Sequence, residues 1–307
     1  MHTGFLGIEI GGTKLQVVAA DDDLVIRERK RFTVDRARGA EGIREQIQQA
    51  ISALRKTWNA KAVGIGFGGP VDWRTGHICC SHHIEGWSEF PLGSWIESLA
   101  GAPVRVDNDA NIAALGEAMH GSGVGLNPVF YITLGSGVGG GLVVDGKIYH
   151  GATPGEAEIG HVRLYKDGTI VEQRCSGWSV DARIRELKQR GETGLLMELV
   201  GKTTGGEAKY LGTALKKGDP LAGRILQEIA EDLSFSLSHV VHLFHPQVIV
   251  IGGGLSLIGQ PLQAEVAQTL PRFTMEAFAP GPQVRLAGLG EDVVPIGALV
   301  AAKSCIA

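Results

Sequence analysis

Residues 7–15 read GIEIGGTKL, an apolar strand that carries one acid and then breaks on two glycines before a threonine and a lysine. Because side chains alternate across a strand, Ile8 and Ile10 share one face while Glu9 points to the other. Adjacent glycines let backbone N–H groups turn outward and approach a ligand closely, which suits phosphate oxygens. The stretch therefore predicts a phosphate-binding turn. A plain hairpin turn with a solvated glutamate is the alternative that fits the same residues.

Glycine is concentrated in a few segments of the chain. The sequence has 45 glycines in 307 residues, well above the usual share of about 7%. They collect at the ends of Val/Ile-rich segments, in GIEIGGT, GIGFGGP, LGSGVGGG and VIGGGLS. Because an α/β protein places its ligand loops at strand ends, these four segments are candidate ligand loops.

Composition and charge exclude several kinds of partner. The formal net charge is -4 and the sequence has no block of Lys and Arg, so a nucleic-acid-binding or anionic-membrane surface has no electrostatic footprint. Hydrophobic residues make up 44% of the chain, which supports a substantial core. The N-terminus lacks the apolar stretch of a signal peptide, and no run approaches the roughly 18 apolar residues of a membrane span. We expect neither a nucleic-acid partner nor a membrane partner.

The four cysteines give no disulfide framework. Cys79, Cys80, Cys175 and Cys305 form no CxxC pair, and the adjacent pair is poorly placed to bridge. A reducing cytoplasm is therefore the predicted location.

Apolar periodicity predicts two similar halves. The first has the order βββαβαβα, with strands 5–10, 15–20, 24–34, 62–67 and 104–106 and helices 40–58, 91–100 and 109–119. Residues 129–149, VFYITLGSGVGGGLVVDGKIY, repeat the strands and turns of residues 5–26. A long amphipathic helix through Leu221 and Leu237 then leads into strand 248–251. The halves are expected to face each other across a cleft, each with a phosphate-type hairpin, unless the two meanders resemble one another by chance.

The two hairpins resemble those of the superfamily of sugar kinases, actin and heat-shock chaperone ATPases, in which such loops grip ATP phosphates. Within it, the chain resembles the ROK family of sugar kinases and repressors. The matching pieces, in the family's order, are IEIGGTK, GIGFGGPVD, VRVDNDANIAALGE, ITLGSGVGGGLVVDGKIYHG, GEAEIGH and VIVIGGGLS. The resemblance implies an α/β, two-domain actin-like ATPase (RNase H-like) fold, Mg-ATP as cofactor and a small-molecule sugar as substrate.

The domain division follows from this resemblance. We predict that residues 1–112 and 295–307 form an N-terminal α/β domain and that residues 113–294 form a C-terminal α/β domain. The sugar would lie in the cleft, where domain closure excludes water so that ATP is not hydrolysed. A homodimer is implied by the family alone.

Residues 104–111, VRVDNDAN, run off a strand end into a helix, where side chains can meet a ligand. A sugar hydroxyl is a poor nucleophile, and a carboxylate within hydrogen-bond reach can orient it and accept its proton. Asp109, which matches the family's catalytic aspartate, is the predicted general base. A helix N-cap is the alternative role that suits this position.

The other site residues are implied by the resemblance. Acids, amides and imidazoles can donate to and accept from a polyol. The implied sugar contacts are Gly69, Asn108, Asp109, Glu158 and His161. The residues expected to face the ATP phosphates are Gly11, Gly12, Thr13, Lys14, Thr133, Gly135, Ser136 and Gly137. Gly253 and Gly254 would pass close to the nucleotide, or simply terminate a strand, and for His161 the alternative is a satisfied core histidine.

The chain departs from the family pattern at two places. Glu9 stands where the family usually has an aspartate that holds Mg through water, so the charge is kept while the reach is one methylene longer. Many members also carry a cysteine-rich zinc cluster, whereas this chain has only Cys175 in that region, so no structural zinc is expected. The segment EQRCSG instead resembles the sugar-binding segment of zinc-free bacterial glucokinases. Glu172 then becomes a sugar contact, with Asp181 as the weaker candidate.

The predicted activity is that of an ATP-dependent hexose kinase that converts glucose to glucose 6-phosphate. Fructose, mannose, allose and N-acetylhexosamine remain alternative substrates. A repressor of the same family would need a helix-turn-helix ahead of the first hairpin, and that hairpin begins at Phe5. A non-catalytic sugar sensor is the other alternative, and the presence of Asp109 argues against it.

Overall fold

The computed structural model describes residues 1–80, 84–153, 155 and 157–306. The strands are β1 His2–Ile10, β2 Lys14–Ala20, β3 Ile26–Thr33, β4 Trp58–Phe67, β5 Val71–Asp72, β6 His77–Ile78, β7 Val104–Asn108, β8 Val129–Leu134, β9 Val138–Val144, β10 Lys147–Ile148, β11 Val248–Gly252 and β12 Gln283–Leu286. The α-helices are α1 Gly39–Leu54, α2 Leu92–Ala100, α3 Asp109–His120, α4 Val171–Cys175, α5 Gly177–Gln189, α6 Leu195–Val200, α7 Leu211–Lys216, α8 Pro220–Phe244, α9 Gln260–Thr269 and α10 Val293–Ser304. The order of elements predicted for the first half is confirmed, but α1 ends at Leu54, β4 begins at Trp58, and the short strands β5 and β6 were not predicted. Ala307, the last residue of the predicted C-terminal segment, lies outside the described residues.

Two sheets repeat one strand plan. Their orders are β3-β2-β1-β4-β7 and β10-β9-β8-β11-β12. In the first sheet β1 is antiparallel to β2 and parallel to β4, and β4 is parallel to β7. In the second sheet β8 is parallel to β11, and β11 is parallel to β12. The matching orders confirm the predicted duplication.

The alternation predicted for β1 is present in the fold. Ile8 and Ile10 lie in one core cluster with the buried face of α1, whereas Phe5 lies in another cluster with Leu299 of α10. Glu9 pairs in register with Gln16 of β2. The first sheet is thus covered on both faces, and β1 brings its carboxylate to the end of the strand beside the glycine turn.

The described chain divides into two compact units. The first unit is Met1–Gly125, Gly141–Ala157 and Gly288–Ala307, and the second is Leu126–Gly140 and Glu158–Ala287. These bounds differ from the predicted division after residue 112 and before residue 295, because α3 and α10 pack as one pair within the first unit. A Cβ atom at Gly116 of α3 would lie 2.6 Å from the Val293 carbonyl oxygen, and one at Gly297 of α10 would overlap the Ile112 carbonyl. Gly116 and Gly297 let the backbones of α3 and α10 pack closely, so all of α3 lies in the first unit.

The second unit is built around β11 and α8. Every residue of β11 is buried, and α8 buries the apolar stripe that includes Leu221 and Leu237, as predicted. The Asp219 side chain caps α8 by accepting the Ala222 N–H, and Pro220 opens the helix, a pairing typical of helix starts. In the part of the chain described here, we find no helix with both the length and the apolar character needed to cross a lipid bilayer.

Candidate active site

The first glycine turn, between β1 and β2, is anchored through its backbone. The Gly11 N–H donates to the Lys14 carbonyl at 3.0 Å, and the Thr13 carbonyl accepts from the Val34 N–H at 3.1 Å. The Gly12 carbonyl accepts from Arg36 Nε at 3.1 Å. The Gly11 N–H is therefore used inside the turn, so the contribution of Gly11 is backbone conformation rather than a donor for phosphate.

Glu9 is held on both of its carboxylate oxygens. Oε1 lies 3.2 Å from Lys14 Nζ, and Oε2 accepts from Gln16 Nε2 at 2.6 Å. The buried Gln16 amide oxygen accepts in turn from Arg29 Nη1 at 2.7 Å and from Arg31 Nε at 2.9 Å. Burial raises the pKa of Glu9, and the charge of Lys14 and the hydrogen bonds from Gln16 and Lys14 oppose that rise. The predicted phosphate contact Lys14 is thus an ion-pair partner of the carboxylate in the same turn.

Asn108 caps α3. Its Oδ1 accepts the N–H groups of Ala110 at 2.8 Å and Asn111 at 3.2 Å, while its Nδ2 donates to the Gly69 carbonyl at 3.2 Å. Asp109 is consequently the first residue of the helix and not its cap, so the alternative role considered for Asp109 belongs to Asn108. One amide joins two predicted sugar contacts, Asn108 and Gly69, by a direct hydrogen bond.

The Asp109 carboxylate lies against bare backbone. A Cβ atom at Gly68 would stand 3.3 Å from Asp109 Oδ2 and 3.3 Å from the Ile10 carbonyl oxygen. The Gly68 N–H also donates to that carbonyl at 2.8 Å. Any side chain at residue 68 would crowd this position, so the glycine lets the carboxylate approach the end of β1. In the first unit the structure therefore brings together the glycine turn, Gly69, Asn108 and Asp109.

The second glycine turn, between β8 and β9, belongs to the second unit. The Gly135 N–H donates to the Gly137 carbonyl at 3.0 Å, and the Gly135 carbonyl accepts from the Gly177 N–H at 2.7 Å. Thr133 pairs in register with Gly252. Gly253 has φ of 79°, and a Cβ atom there would lie 2.5 Å from the Leu134 N atom, so the loop after β11 needs glycine at this residue.

Glu172 lies against this second turn. Its Oε2 accepts the Val138 N–H at 2.9 Å, and a Cβ atom at Gly137 would overlap the same oxygen. Glu172 lies on α4, whose Arg174 Nε donates to Asp232 Oδ2 at 2.8 Å. These contacts fix α4 and direct the acid to the turn, which the sequence suggested only through resemblance.

Glu158 precedes a short 3-10 turn whose last residue is His161, and both side chains are open to solvent. The imidazole Nε2 and the Glu158 Oε2 are 4.0 Å apart, and the two side chains are 68% and 48% exposed. His161 is therefore not a satisfied core histidine. Cys175 is fully buried, and its burial raises the pKa of the thiol, which disfavours the thiolate that a metal site needs. Within the described ranges, no group of three or more His, Cys, Asp or Glu side chains is placed to hold a metal ion, and the absence of structural zinc stays a prediction.

A cavity of about 350 Å³ opens beside the second turn. Its lining combines the backbone of several glycines with apolar and polar side chains. The lining residues are Gly135, Ser136, Gly177, Trp178, Asp181, Gly206, Ala208, Lys209, Gly254, Leu255, Leu257 and Ile258. Both oxygens of Asp181 are engaged, because they accept the N–H groups of Gly206 at 3.0 Å and Ala208 at 2.7 Å. Asp181, the weaker sugar candidate, is thus a structural part of the cavity wall. Sequence reasoning missed Trp178 and Lys209, which lie outside the glycine motifs.

Duplicated α/β sheets with a glycine hairpin at each first strand define the class of actin-like ATPase folds. The chain belongs to the ROK family, whose family model matches residues 5–304. The glucokinase of Thermotoga maritima is 28% identical over 302 residues, which cover 95% of each chain. The glucokinase of Streptomyces coelicolor is 32% identical over 308 residues, again 95% of each chain.

A solved structure has the same fold over nearly the whole chain. It is a ROK family glucokinase from Streptomyces griseus in complex with glucose and AMPPNP, with a TM-score of 0.83 and 30% sequence identity. The match covers 98% of this chain and 99% of that one. The family inferred from the motifs and the predicted fold class are both confirmed.

Proposed function

We propose that this chain is an ATP-dependent hexose kinase that transfers the γ-phosphoryl group to glucose and releases glucose 6-phosphate and ADP. The observation that carries the proposal is the position of Asp109, at the first turn of α3 beside the bare backbone of Gly68 and directly after the capping Asn108. The nearly full-length likeness to proteins named glucokinase, one of them solved with glucose and AMPPNP, supports glucose and ATP.

In the proposed reaction Asp109 acts as general base. It orients a sugar hydroxyl and accepts its proton while the hydroxyl oxygen forms a bond to the γ-phosphorus and the bond from that phosphorus to the ADP oxygen breaks. Asn108 suits the sugar side, because its cap and its bond to Gly69 leave the amide with little freedom. Glu158, His161 and Glu172 supply the acids and the imidazole that discriminate among hydroxyl patterns.

The nucleotide belongs, in this proposal, to the glycine turns and to the cavity of the second unit. Gly12, Thr13 and Lys14 serve the phosphates from the first turn, whose backbone conformation Gly11 sets. Thr133, Ser136 and Gly137 serve them from the second turn, where Gly135 has the corresponding role. The cavity beside Gly135 and Gly254 has apolar walls from Leu255 and Ile258, which suits a nucleobase.

Magnesium fits the first turn through water. Mg²⁺ in phosphate sites keeps several waters and takes one or two carboxylates, and both oxygens of Glu9 already have partners in Lys14 and Gln16. Glu9 would therefore hold the ion at one water's distance. When bound, the ion neutralises charge on the transferring phosphoryl group. A cytoplasmic location and a homodimer are further parts of the proposal, and light scattering measures the second directly.

A coupled ADP-release assay tests the proposal. Purified protein with Mg-ATP should turn over glucose with the highest kcat/KM among glucose, fructose, mannose, allose and N-acetylated hexosamines, because the implied sugar contacts follow the glucokinase pattern. ATP without sugar is the blank for hydrolysis. No turnover on any of these sugars would overturn the kinase proposal in favour of a sugar sensor, and a faster rate with another hexose would move the substrate assignment to it.

Replacing Glu172 with glutamine separates the two candidate sugar acids. We expect the glucose KM to rise about tenfold, while kcat changes less, because the contact exists in both ground and transition states. The glutamine retains an oxygen for the Val138 N–H, so the turn is preserved. Steady-state kinetics with varied glucose and saturating ATP give both constants.

Asp181→Asn is the matched control for that variant. The new amide faces one of the N–H groups of Gly206 and Ala208, so it should loosen the cavity wall and change the KM for ATP or the thermal stability. If Asp181→Asn raises the glucose KM and Glu172→Gln leaves it unchanged, the sugar contact belongs to Asp181.

A further inference from the structure

A buried carboxylate directly precedes the two site residues of β7. Asp107 Oδ1 accepts the Asn108 N–H at 2.9 Å and the Asn111 Nδ2 at 3.0 Å. Its Oδ2 lies 2.6 Å from His150 Nε2, and both side chains of this pair are buried. The carboxylate therefore holds the backbone of Asn108 on one side and a histidine from the segment after β10 on the other.

The His150 ring is fixed on its face as well as at its edge. It stacks on Trp73, with the ring centroids 4.2 Å apart and the planes 14° from parallel. The guanidinium carbon of Arg105, also in β7, lies 5.2 Å from the Trp73 ring. Stacking on Trp73 holds the ring so that Nε2 faces Asp107 in one orientation. The short contact is therefore a fixed, buried interaction within the first unit.

The same cluster reaches Gly155. Asn111 Nδ2 also lies 3.1 Å from the Gly155 carbonyl, so one amide joins Asp107 to that residue. A Cβ atom at Gly155 would stand 2.9 Å from the His150 Cβ, so Gly155 lies directly against His150. Asp107 thus connects β7 and the first turn of α3 to His150 directly, and to Gly155 through Asn111.

We propose that Asp107 and His150 are positioning residues, which hold Asn108 and Asp109 in register for phosphoryl transfer. The inference rests on the proposed function. Without the His150 donor, Oδ2 of a buried carboxylate has lost its partner, and the carboxylate relieves that cost by rotating. Rotation breaks the hydrogen bonds that Oδ1 accepts from Asn108 and Asn111. Asn108, which contacts the sugar, and Asp109, which accepts its proton, are then held less firmly.

Two substitutions at one residue test this role. His150→Phe keeps a ring that can stack on Trp73 but has no donor, whereas His150→Gln keeps a donor near the place of Nε2. We expect kcat/KM for glucose to fall about 10- to 100-fold in His150→Phe. His150→Gln should recover it to within about fivefold of the wild-type value. The KM for ATP should stay within about twofold in both, because the cavity proposed for the nucleobase is formed by the second unit and the contacts of His150 given above do not involve the first glycine turn.

A purely structural role predicts a different pattern. Equal losses in the two variants, a parallel rise in the KM for ATP, or an unchanged kcat/KM in a folded His150→Phe would each overturn the proposal. Circular dichroism and thermal melting verify folding, and Trp73→Phe serves if His150→Phe does not fold, with a smaller loss in the same sugar constants expected.

Failure of the proposed function gives a separate result. If the wild-type chain turns over no sugar, glucose binding measured by calorimetry takes the place of kinetics, and affinity should decrease from wild type to His150→Gln to His150→Phe. Wild-type binding without that order overturns the positioning role alone. Absence of both turnover and binding overturns both proposals.

Discussion

Asp109→Asn is expected to lower kcat by about 10²- to 10⁴-fold, or about 3 to 5 kcal/mol of activation free energy. The amide can still hydrogen-bond the sugar hydroxyl, but it cannot take the proton as the oxygen attacks phosphorus. Because Asn108 and not Asp109 caps α3, the variant should fold normally and bind glucose with nearly unchanged affinity. Single-turnover phosphoryl transfer measures the chemical step, and calorimetry measures glucose binding.

The neighbouring residue provides the control. Asn108→Ala removes the acceptor for two N–H groups at the start of α3, so it should cost about 1 kcal/mol of unfolding free energy. Asp109→Asn should show no such loss. Should Asp109→Asn retain more than half of the wild-type kcat where chemistry limits turnover, Asp109 would not be the general base.

The strands of the first sheet could be predicted from local sequence patterns, because the side-chain alternation and the end of a strand depend on residues that are neighbours in the chain. The alternation of Ile8, Glu9 and Ile10 places the isoleucines on one face and the acid on the other, and the glycines that follow fix where the strand ends. The repetition of that pattern at residues 129–149 predicted β8, β9 and β10 of the second sheet, whereas β12 was not predicted. The identity of the helix cap was not predicted, because Asn108 and Asp109 are both good capping residues and only the structure shows that the Asn108 side chain accepts the first N–H groups of α3.

Contacts between residues that are distant in the chain could not be predicted from the sequence. Nothing near Glu9 in the chain indicates that Arg29 and Arg31 of β3 would support it through Gln16. The packing of α3 against α10 could not be predicted for a similar reason, since the two helices are far apart in sequence and meet at Gly116 and Gly297. Asp181 carried the right chemistry for a sugar contact, yet distant backbone donors engage both of its oxygens.

Glu117 at the end of α3 is the clearest case of a motif residue to which the sequence assigned no role. It is fully buried, and its Oε2 accepts the N–H groups of Ser122 at 2.7 Å and Gly288 at 3.0 Å. Its Oε1 accepts the Leu289 N–H at 2.9 Å. The carboxylate thereby joins the segment after α3 to the segment before α10, both within the first unit.

Glu117→Ala should lower the free energy of unfolding by about 3 to 6 kcal/mol. The substitution leaves three partly buried backbone donors without their acceptor, and each should cost about 1 to 2 kcal/mol, the lower part of the range for a donor that loses its partner. Since a folded domain is stable by only about 5 to 15 kcal/mol, much of the protein's stability depends on this one carboxylate. Urea unfolding followed by circular dichroism measures the loss.

Glu97→Ala on α2 is the matched control, because that glutamate is exposed and its removal should change stability by less than about 0.5 kcal/mol. Glu117→Gln should fall between the two, since the amide keeps one acceptor oxygen and turns an N–H group toward the remaining donors. If Glu117→Ala unfolds at the same urea concentration as Glu97→Ala, the three donors find water or other partners at little cost. The carboxylate would then be placed by the fold without supporting it.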